Sequence, residues 1–410
     1  MRSGSRVSIS RAIEAVREGA WLPRERLRNG MVAALFAYYG LFLAWALRGR
    51  GALDPVGHPV GGDFLGFYTV SGLCRSGRAL AAYDAASLRA AELALLHPEM
   101  GQGHIAWFYP PTAFFLVHPL STLPYLASYA LAVGAGLAAV LWLSWKIGGT
   151  STAVLVMASS PALFACVIHG QTTLPAAFLI GTGLYLLRRS PLVAGVLFGL
   201  ACFKPQLGAL LPFALLAGRH RRAFLAAAVT VLALAVASAA IYGASTWPAF
   251  LRASRGARAV FESGWVEYQK QASLFAMARW LGGSLAFATS LQALAALAAT
   301  VAVVRVWARR SGPGLENAVL LCGTLLVSPF VLDYDHLLLT LAIVSLLPTW
   351  RTVAAGPLLP AAAALSWTAP IFTRHVDAPI IQLPTLLLFA ALLARARDRR
   401  GMARVSSRPV

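Results

Sequence analysis

A small set of ionisable and amide side chains interrupts an otherwise apolar sequence. A carboxylate can take a proton from a hydroxyl group, and a lysine or arginine can hold an anionic group such as a phosphate. Ionisable groups near bilayer depth are costly, so they usually line a polar cavity or pathway. The predicted topology places all of them on one side of a membrane, which favours a single site. The candidates are Asp63, Tyr109, His169, Gln171, Lys204, Gln206, Asp333, Asp335, His336 and Arg374.

Each of these residues also has an ordinary interpretation. Asp63 could be a solvated loop carboxylate, and Lys204 could extend its ammonium group to the membrane interface. His169 and Gln171 could cap helix ends. The acidic residues of 333–335 could be turn residues before a helix N-terminus, where negative charge is favourable. It is their joint placement on one face that favours a shared function.

The elements that position these residues are predicted to be membrane helices. The chain has 410 residues, of which 58% are hydrophobic and 12% charged, whereas soluble proteins are about 45–50% apolar and about 25% charged. The mean hydropathy is +0.68. The net charge of +20 comes mainly from arginines, which fall in short runs between apolar segments. Cytoplasmic ends of membrane helices have this pattern, so the charge does not indicate nucleic-acid binding.

The apolar segments predict an all-α polytopic membrane protein with about twelve spanning helices. Both termini are then cytoplasmic, and every basic run falls on the cytoplasmic side of the inner membrane. The predicted regions are a basic N-terminal segment at 1–30, a transmembrane domain at 31–395 and a basic tail at 396–410, expected to be disordered. The first outer loop, 49–108, holds a third of the acidic residues. The predicted spans are 31–48, 124–146, 151–168, 173–187, 191–217 (as two short helices), 223–243, 283–307, 317–331, 336–349, 353–370 and 379–395.

Several segments do not fit simple spans. Segment 191–217 has basic residues at both flanks, so one span would break the positive-inside rule. Proline disfavours helix at the residue before it, so the proline after Lys204 should divide this segment into two short helices that meet near the outer face. Segment 110–119 is bounded by prolines and too short to span, which predicts a re-entrant helix. Segments 64–76 and 84–96 have helical apolar spacing and should lie on the membrane surface.

Four stretches of the sequence resemble the family-87 glycosyltransferases, which are membrane enzymes of the C-type superfamily. The Gly-Gln and Lys-Pro-Gln elements, at their spacing here, are the most specific part of the resemblance. His336, after an Asp-Tyr-Asp run, is a local variant. The stretches are GGDFLGFYTVSG at 61–72, FYPPTAFFLVHPLSTLP at 108–124, HGQTTL at 169–174 with AGVLFGLACFKPQLGALLP at 194–212, and SPFVLDYDHLLL at 328–339.

The resemblance implies a C-type fold and transfer of a hexose, with mannose as the expected sugar. The donor would be a polyprenyl-phosphate sugar and the acceptor a lipid or glycan on the non-cytoplasmic face. Such enzymes place the general base in the first outer loop, and Asp63 matches that position. The leaving group is a lipid phosphate, for which Lys204 is the expected ligand, with Gln206 and Arg374 as further candidates. Displacement by a base-activated hydroxyl inverts the anomeric centre through an oxocarbenium-like transition state.

The remaining candidates are expected to contact the sugar or the acceptor. Tyr109, together with Trp107, could stack on a pyranose ring or lie at the membrane interface. Some C-type enzymes need a divalent metal, but no ligand cluster supports one, so neither a metal nor a cofactor is predicted. No glycine-rich nucleotide fingerprint is present, which fits a donor without a nucleotide. The expected sugar and acceptor contacts are Tyr109, His169, Gln171, Asp333, Asp335 and His336.

Two other functions remain open from the sequence. A secondary transporter also has broken helices and charges near the bilayer midplane, although no inverted repeat is visible. A flippase for lipid-linked sugars would share the phosphate contacts but would not need Asp63. Loss of turnover in Asp63→Asn with folding retained would separate the enzyme from both. No oligomeric state is predicted.

Overall fold

The computed structural model describes residues 24–96, 105–263, 268–350, 358–374, 376 and 378–405. Within these ranges the regular structure is helical, apart from isolated β-bridges. The α-helices, in chain order, are α1 (Arg24–Ala46), α2 (Phe64–Arg75), α3 (Ala85–Leu96), α4 (Ala113–Val117), α5 (Tyr125–Gly148), α6 (Ser151–Ala158), α7 (Pro161–His169), α8 (Thr173–Leu186), α9 (Pro191–Leu200), α10 (Leu211–Ala217), α11 (Arg221–Tyr242), α12 (Thr246–Glu262), α13 (Leu274–Trp280), α14 (Leu285–Ala308), α15 (Pro313–Val327), α16 (Leu337–Leu346), α17 (Leu358–Thr368) and α18 (Gln382–Val405). Short 3-10 turns connect them at Ala79–Tyr83, Leu120–Thr122, Ala201–Phe203, Pro205–Leu207, Tyr268–Lys270, Asp333–His336, Leu347–Thr349 and Ala369–Arg374.

Long apolar helices confirm that the chain is an all-α membrane protein. In the described ranges, α1, α5, α11 and α14 are long and apolar enough to cross a membrane. The pair α6 and α7 makes a fifth span if it is taken as one helix bent by 55°. The bend precedes Pro161, which opens α7 at a position where the missing N–H has no intrahelical partner to lose. Other apolar helices are only 10–17 residues long, and the number of twelve spans stays a prediction.

The centre of the bundle is α16, all of whose residues are buried. A helix that is apolar on every side is buried inside a protein or a bilayer. Here α16 packs against α15, α5, α6 and α8. Because the 3-10 turn Asp333–His336 leads directly into α16, its polar side chains are attached to a fully buried helix.

The two helices predicted within the first outer loop are present as α2 and α3. However, α2 is enclosed by protein on several sides. Phe64 is 2% exposed and Leu65 is 1% exposed, and α2 packs against α3, α4 and the turn Leu120–Thr122. The place of α2 at the membrane surface stays a prediction, and its apolar residues pack mainly against protein. Its apolar residues surround the helix instead of forming one stripe, so protein must cover several of its faces.

Segment 191–217 is divided into α9 and α10 by two 3-10 turns, which confirms the predicted break before Pro205. Gly195 and Gly199 let α9 lie close against α11. A Cβ at Gly195 would come within 2.3 Å of a backbone oxygen of α11, and one at Gly199 within 2.5 Å of a side-chain carbon. Small residues allow such close packing between membrane helices. The five-residue α4 likewise confirms that 110–119 is too short to span.

Both ends of the described chain differ from the predicted boundaries. Helix α1 begins at Arg24, inside the segment 1–30 predicted to precede the first span. Helix α18 continues to Val405, inside the predicted tail 396–410. The expectation of disorder is wrong for 396–405. Alanine, arginine and methionine are strong helix formers, so a basic segment of this composition extends the helix.

Candidate functional site

Residues 171–173, which join α7 to α8, collect side chains from distant parts of the chain. We call this segment the 171–173 turn. Its contacts are Gln171 with Asp63, Thr172 with Tyr109, and Thr173 with both Lys204 and Asp335. One short turn therefore joins the segment between α1 and α4 to the break between α9 and α10 and to the turn before α16.

Glycine allows the 171–173 turn to follow α7 directly. Gly170 has a φ of +60°, the left-handed conformation that commonly ends a helix. The N–H of Gln171 then donates to the carbonyl oxygen of Cys166 at 2.9 Å. Gly170 is also required by packing, because a Cβ there would lie 2.6 Å from the Cβ of Phe64. The same glycine thus ends α7 and brings α2 close to the turn.

Lys204 and Asp335 form a buried ion pair. Lys204 Nζ lies 2.6 Å from Asp335 Oδ1, and both side chains are 2% exposed. Lys204 also donates to Thr173 Oγ1 at 2.6 Å and lies 4.9 Å from the ring centroid of Tyr334. The second oxygen of Asp335 accepts the N–H of Leu332 at 3.2 Å. Buried charges require this degree of pairing, because removing one partner leaves the other without water or a counter-ion.

Asp63 immediately precedes α2 and is less buried than Asp335. A carboxylate at this position interacts favourably with the positive end of the helix. Gly61 and Gly62, with φ of +91° and +46°, form the tight turn that places Asp63 at the start of α2. A Cβ on Gly62 would lie 2.9 Å from His169 Nδ1, so the His169 ring borders the loop that carries Asp63.

Gln171 holds the Asp63 carboxylate through its side-chain amide. The Nε2 group donates to Asp63 Oδ2. The other end of the same amide, Oε1, is buried and accepts no hydrogen bond from the described residues. An unpaired buried carbonyl costs free energy, and a hydroxyl group of a ligand would satisfy it. Gln171 therefore combines a contact to the carboxylate with a buried acceptor that no described residue satisfies.

Tyr109 connects the two halves of the site. Its hydroxyl lies 2.8 Å from Thr172 Oγ1, and it is within electrostatic reach of Lys204, Asp335 and Asp63. Burial raises the pKa of the Tyr109 phenol, although Lys204 opposes the shift. The phenol is therefore neutral at physiological pH and can both donate and accept a hydrogen bond.

Trp107 has a supporting position. It is 4% exposed, and its ring lies parallel to Phe114 at 5.9 Å and tilted against Tyr109 at 5.0 Å. This corrects both expected roles of Trp107, because a ring packed among protein side chains reaches neither a sugar nor the membrane interface. Its packing instead fixes the position of Tyr109.

The other predicted residues lie around this group or face away from it. Asp333 accepts the N–H of Tyr334 at 2.8 Å and the hydroxyl of Thr373 at 3.3 Å. Gln206 is half-buried in the 3-10 turn Pro205–Leu207. The predicted role of Arg374 concerns a side chain outside the described part of the structure. None of these positions tests the expected contacts with sugar or phosphate.

The structure does not place the His336 side chain among the contacts of the 171–173 turn. Its side chain is 1% exposed, and its Nε2 lies 3.2 Å from Thr385 Oγ1 on α18. Consecutive residues of a tight turn point to different sides, so Asp335 faces Lys204 while His336 faces α18. Asp333 and Asp335 also have different partners, and no three potential ligands among His, Cys, Asp and Glu of the described chain come together as a metal site.

Thr172 and Thr173 were not among the predicted residues. Both occur in the HGQTTL stretch, where their only signal was a short polar run between apolar helices. Threonine hydroxyls often bond locally to the backbone, so their long-range contacts could not be inferred from residue type. The structure shows that they carry the links between Tyr109, Lys204 and Asp335.

The fold and the site define a helical membrane protein with paired charges and an amide-held carboxylate in one polar region. Residues 107–329, more than half of the chain, match the family model described as Glycosyltransferase family 87. The chain therefore belongs to glycosyltransferase family 87 and is a membrane glycosyltransferase, which confirms the resemblance noted from its sequence. No curated protein and no solved structure matches it. The matched residues include the 171–173 turn and Lys204, whereas Asp63 and Asp335 lie outside them.

Proposed function

We propose that the protein transfers a hexose, with mannose as the expected sugar, from a polyprenyl-phosphate donor to a hydroxyl group of a lipid or glycan. The reaction would take place on the non-cytoplasmic face of the inner membrane. Membership of the family supports glycosyl transfer from a sugar donor to an acceptor. The observation that carries the finer proposal is the 171–173 turn, which joins Asp63 to the Lys204–Asp335 pair. A displacement of this kind needs a base on one side and a cation near the leaving group on the other.

In the proposed step, Asp63 is the general base. The acceptor oxygen bonds to the anomeric carbon as its proton passes to the Asp63 carboxylate. The bond from that carbon to the donor phosphate oxygen breaks, and the phosphate keeps the electron pair. This single displacement inverts the anomeric centre. Gln171 supports this role, because its N–H orients the carboxylate and its Oε1 can accept a hydrogen bond from a hydroxyl group of the acceptor or sugar.

Lys204 is proposed to stabilise the leaving phosphate. A cation at a developing negative charge lowers the barrier when it is already in place. An ammonium group has three donor directions, and in the unliganded protein these point to Asp335, Thr173 and the Tyr334 ring. The cation–π contact is the weakest of the three, so the phosphate would approach Lys204 in place of the Tyr334 ring. Gln206 and Arg374 are proposed as additional phosphate ligands.

An apolar groove beside Asp333 supports a lipid-bearing substrate. The groove has a volume of about 160 Å³ and lies between α1, α7 and the turn Ala369–Arg374. Its walls include Tyr38, Phe164 and Ile168. Since α1 is exposed over most of its surface, the hydrocarbon chain of a lipid substrate in this groove would extend from Asp333 to the surrounding membrane. We propose that it holds the first isoprene units of the lipid, with Asp333, His169 and Tyr109 contacting the sugar.

The test is glycosyl transfer in reconstituted vesicles with labelled polyprenyl-phosphate-mannose. Asp63→Asn should lower the rate by about 10²- to 10⁴-fold, the usual contribution of a general base. Asp84→Asn is the matched control, because Asp84 is an exposed carboxylate of the same loop. Wild-type activity in Asp63→Asn would reject the base assignment. If the wild type moves lipid-linked sugar across the vesicle membrane without forming a glycoside, the protein is a flippase.

A double variant tests the role of Lys204. Lys204→Gln alone leaves Asp335 buried without its cation, so it loses stability whatever its function. Lys204→Gln combined with Asp335→Asn removes both charges and should recover much of the folded protein. If Lys204 serves the donor phosphate, this neutral pair stays at least about 100-fold less active. Recovery to within about threefold of wild type would mean that the ion pair has a structural role only.

A further inference from the structure

A second polar region lies at the other end of the helix bundle. A cleft of about 540 Å³ opens between the turns α8–α9, α10–α11 and α14–α15. We call it the basic cleft and define it by its polar lining and its tryptophan: Arg188, Arg219, His220, Arg221, Arg222, Trp307, Arg310 and Glu316. The cleft lies at the first turn of α11. At the far end of the same helix, the Tyr242 hydroxyl lies 3.1 Å from His118 Nδ1. At about 1.5 Å per residue, a helix of this length separates the two ends by roughly 33 Å.

Positive charge is in excess in the basic cleft. Its carboxylate, Glu316, is 3% exposed and is already engaged. Its Oε2 lies 2.7 Å from Arg188 Nη2, and its Oε1 accepts the N–H of Gly312 at 3.0 Å. Among the described residues, Arg219, Arg221, Arg222 and Arg310 make no ion pair with a carboxylate. Four guanidinium groups therefore line one cleft without a carboxylate partner in the part of the chain that the structure describes.

Two of these arginines occupy an unfavourable position on a helix. Arg221 and Arg222 form the first turn of α11, which contains no acidic residue. The N-terminus of a helix carries partial positive charge, so cations there are repelled and anions are attracted. The first N–H groups of the helix also have no intrahelical acceptor. An anion in the cleft would reverse this unfavourable interaction.

The other two arginines have an unfavourable backbone conformation. Arg219 has a φ of +61° and Arg310 a φ of +52°. In the described chain these are the only residues other than glycine with positive φ, and both line the same cleft. Each lies just after a helix end, where glycine commonly takes this conformation at no steric cost. Retaining arginine at both positions costs free energy, and such strain often marks a functional site.

The environment of His220 also indicates a positive potential. Burial lowers the pKa of His220, and Arg188 and Arg310 lower it further, against the opposing effect of Glu316. Trp307 forms the floor of the cleft, 1% exposed, with its Nε1 donating to the carbonyl oxygen of Glu316 at 2.9 Å. The cleft thus has a buried, hydrogen-bonded floor, positive walls and room for a ligand.

We propose that the basic cleft binds a phosphate group, and that its natural ligand is the phosphate of an anionic membrane lipid. Arginine pairs well with phosphate oxygens because its planar donors match their geometry. Leu192, Leu216 and Leu225 beside the arginines are 60%, 51% and 61% exposed. These apolar side chains would lie along acyl chains while the headgroup occupies the cleft. Basic pockets between membrane helices bind anionic headgroups in this way.

The full-length protein in nanodiscs of zwitterionic phosphatidylcholine provides the test. Phosphatidylglycerol is added in one series and inorganic phosphate in another, and the thermal unfolding midpoint and the lipid retained in native mass spectrometry are measured. Each arginine near an anionic headgroup contributes about a fivefold change in affinity. Arg221→Gln with Arg222→Gln should therefore weaken phosphatidylglycerol binding about 10- to 30-fold. The control is Arg189→Gln with Arg305→Gln, which removes two arginines outside the lining.

The outcomes separate the sources of phosphate. A stabilising response to phosphatidylglycerol alone, lost in the cleft variant and kept in the control, supports the lipid headgroup. An equal response to inorganic phosphate, lost in the same variant, supports phosphate binding and rejects the requirement for a lipid. Equal binding by the cleft variant and the wild type overturns the proposal. Because the readout is binding, it does not depend on the donor or acceptor of glycosyl transfer.

Discussion

The 171–173 turn and the basic cleft differ in how their charges are balanced. In the first, Lys204 and Asp335 are each 2% exposed and compensate one another at 2.6 Å. In the second, Glu316 faces five arginines, and its ion-pair partner Arg188 is 49% exposed. A buried charge must find its partner within the protein because water does not reach it. An exposed excess of charge is solvated and remains available to an external ion. The first region is therefore organised before a ligand arrives, whereas the second is completed by one.

Removal of one carboxylate from each region tests this difference most directly. Asp335→Asn leaves Lys204 as a buried cation and should lower the free energy of unfolding by about 3–5 kcal/mol. Glu316→Gln leaves the half-exposed Arg188 in contact with water and should cost about 1 kcal/mol or less. Both values can be measured by unfolding in mixed detergent micelles. Equal losses in the two variants would show that burial does not distinguish the two ion pairs.

The close packing around Asp63 gives the next largest effect. Gly62→Ala would place a Cβ 2.9 Å from His169 Nδ1 at a φ of +46°, so the loop that carries Asp63 must shift. A displacement of about 1 Å near a catalytic group can cost about 100-fold in rate, and we expect transfer to fall by about 10- to 100-fold.

Gly72→Ala is the control for this experiment. It lies in α2, where an added Cβ would meet no atom within 4 Å. It should transfer sugar at the wild-type rate. A normal rate in Gly62→Ala would show that the geometry around Asp63 is not organised in advance.

Single hydrogen bonds of the 171–173 turn should have smaller effects. Gln171→Leu removes the contact that orients Asp63 and should lower transfer about tenfold, the equivalent of about 1.4 kcal/mol. Thr172→Val removes the bond to Tyr109 and should cost about threefold, because Tyr109 is also held by its ring contacts. Initial rates at saturating donor measure both. Wild-type rates in both variants would mean that the turn only connects helices.

Strain in the basic cleft predicts a small gain in stability when a strained arginine is replaced, whereas the variants above lose stability or activity. Arg310→Gly relieves a left-handed arginine and should raise the free energy of unfolding by about 0.5–1 kcal/mol in detergent without phosphate, while it weakens phosphate binding. Arg309→Gly is the matched neighbour, since Arg309 has a helical φ of −83°. It should be destabilised by up to about 1 kcal/mol. A loss of stability in Arg310→Gly would show that the left-handed conformation of Arg310 does not destabilise the protein, so strain would not distinguish the two regions.

Local chemistry in the sequence determined much of the architecture. The break before Pro205 follows from proline sterics, which act on the adjacent residue wherever the chain folds. The helical spacing of apolar residues located α2 and α3 correctly. The sequence allowed four candidates to be selected, because polar groups in an apolar membrane segment are costly and are usually kept for a function. They are Asp63, Gln171, Lys204 and Asp335. The family resemblance came from the same local stretches.

Tertiary structure alone decided which of these side chains meet. Lys204 and Asp335 are 131 residues apart, and no local pattern encodes their pairing. Thr173 joins them only because α8 begins beside both. His336 was selected with Asp335 from one run of residues, yet packing turned it toward Thr385. Sequence shows which residues need partners, because that need is a property of each side chain. The choice of partner depends on how the helices pack, which is set by contacts between residues far apart in the chain.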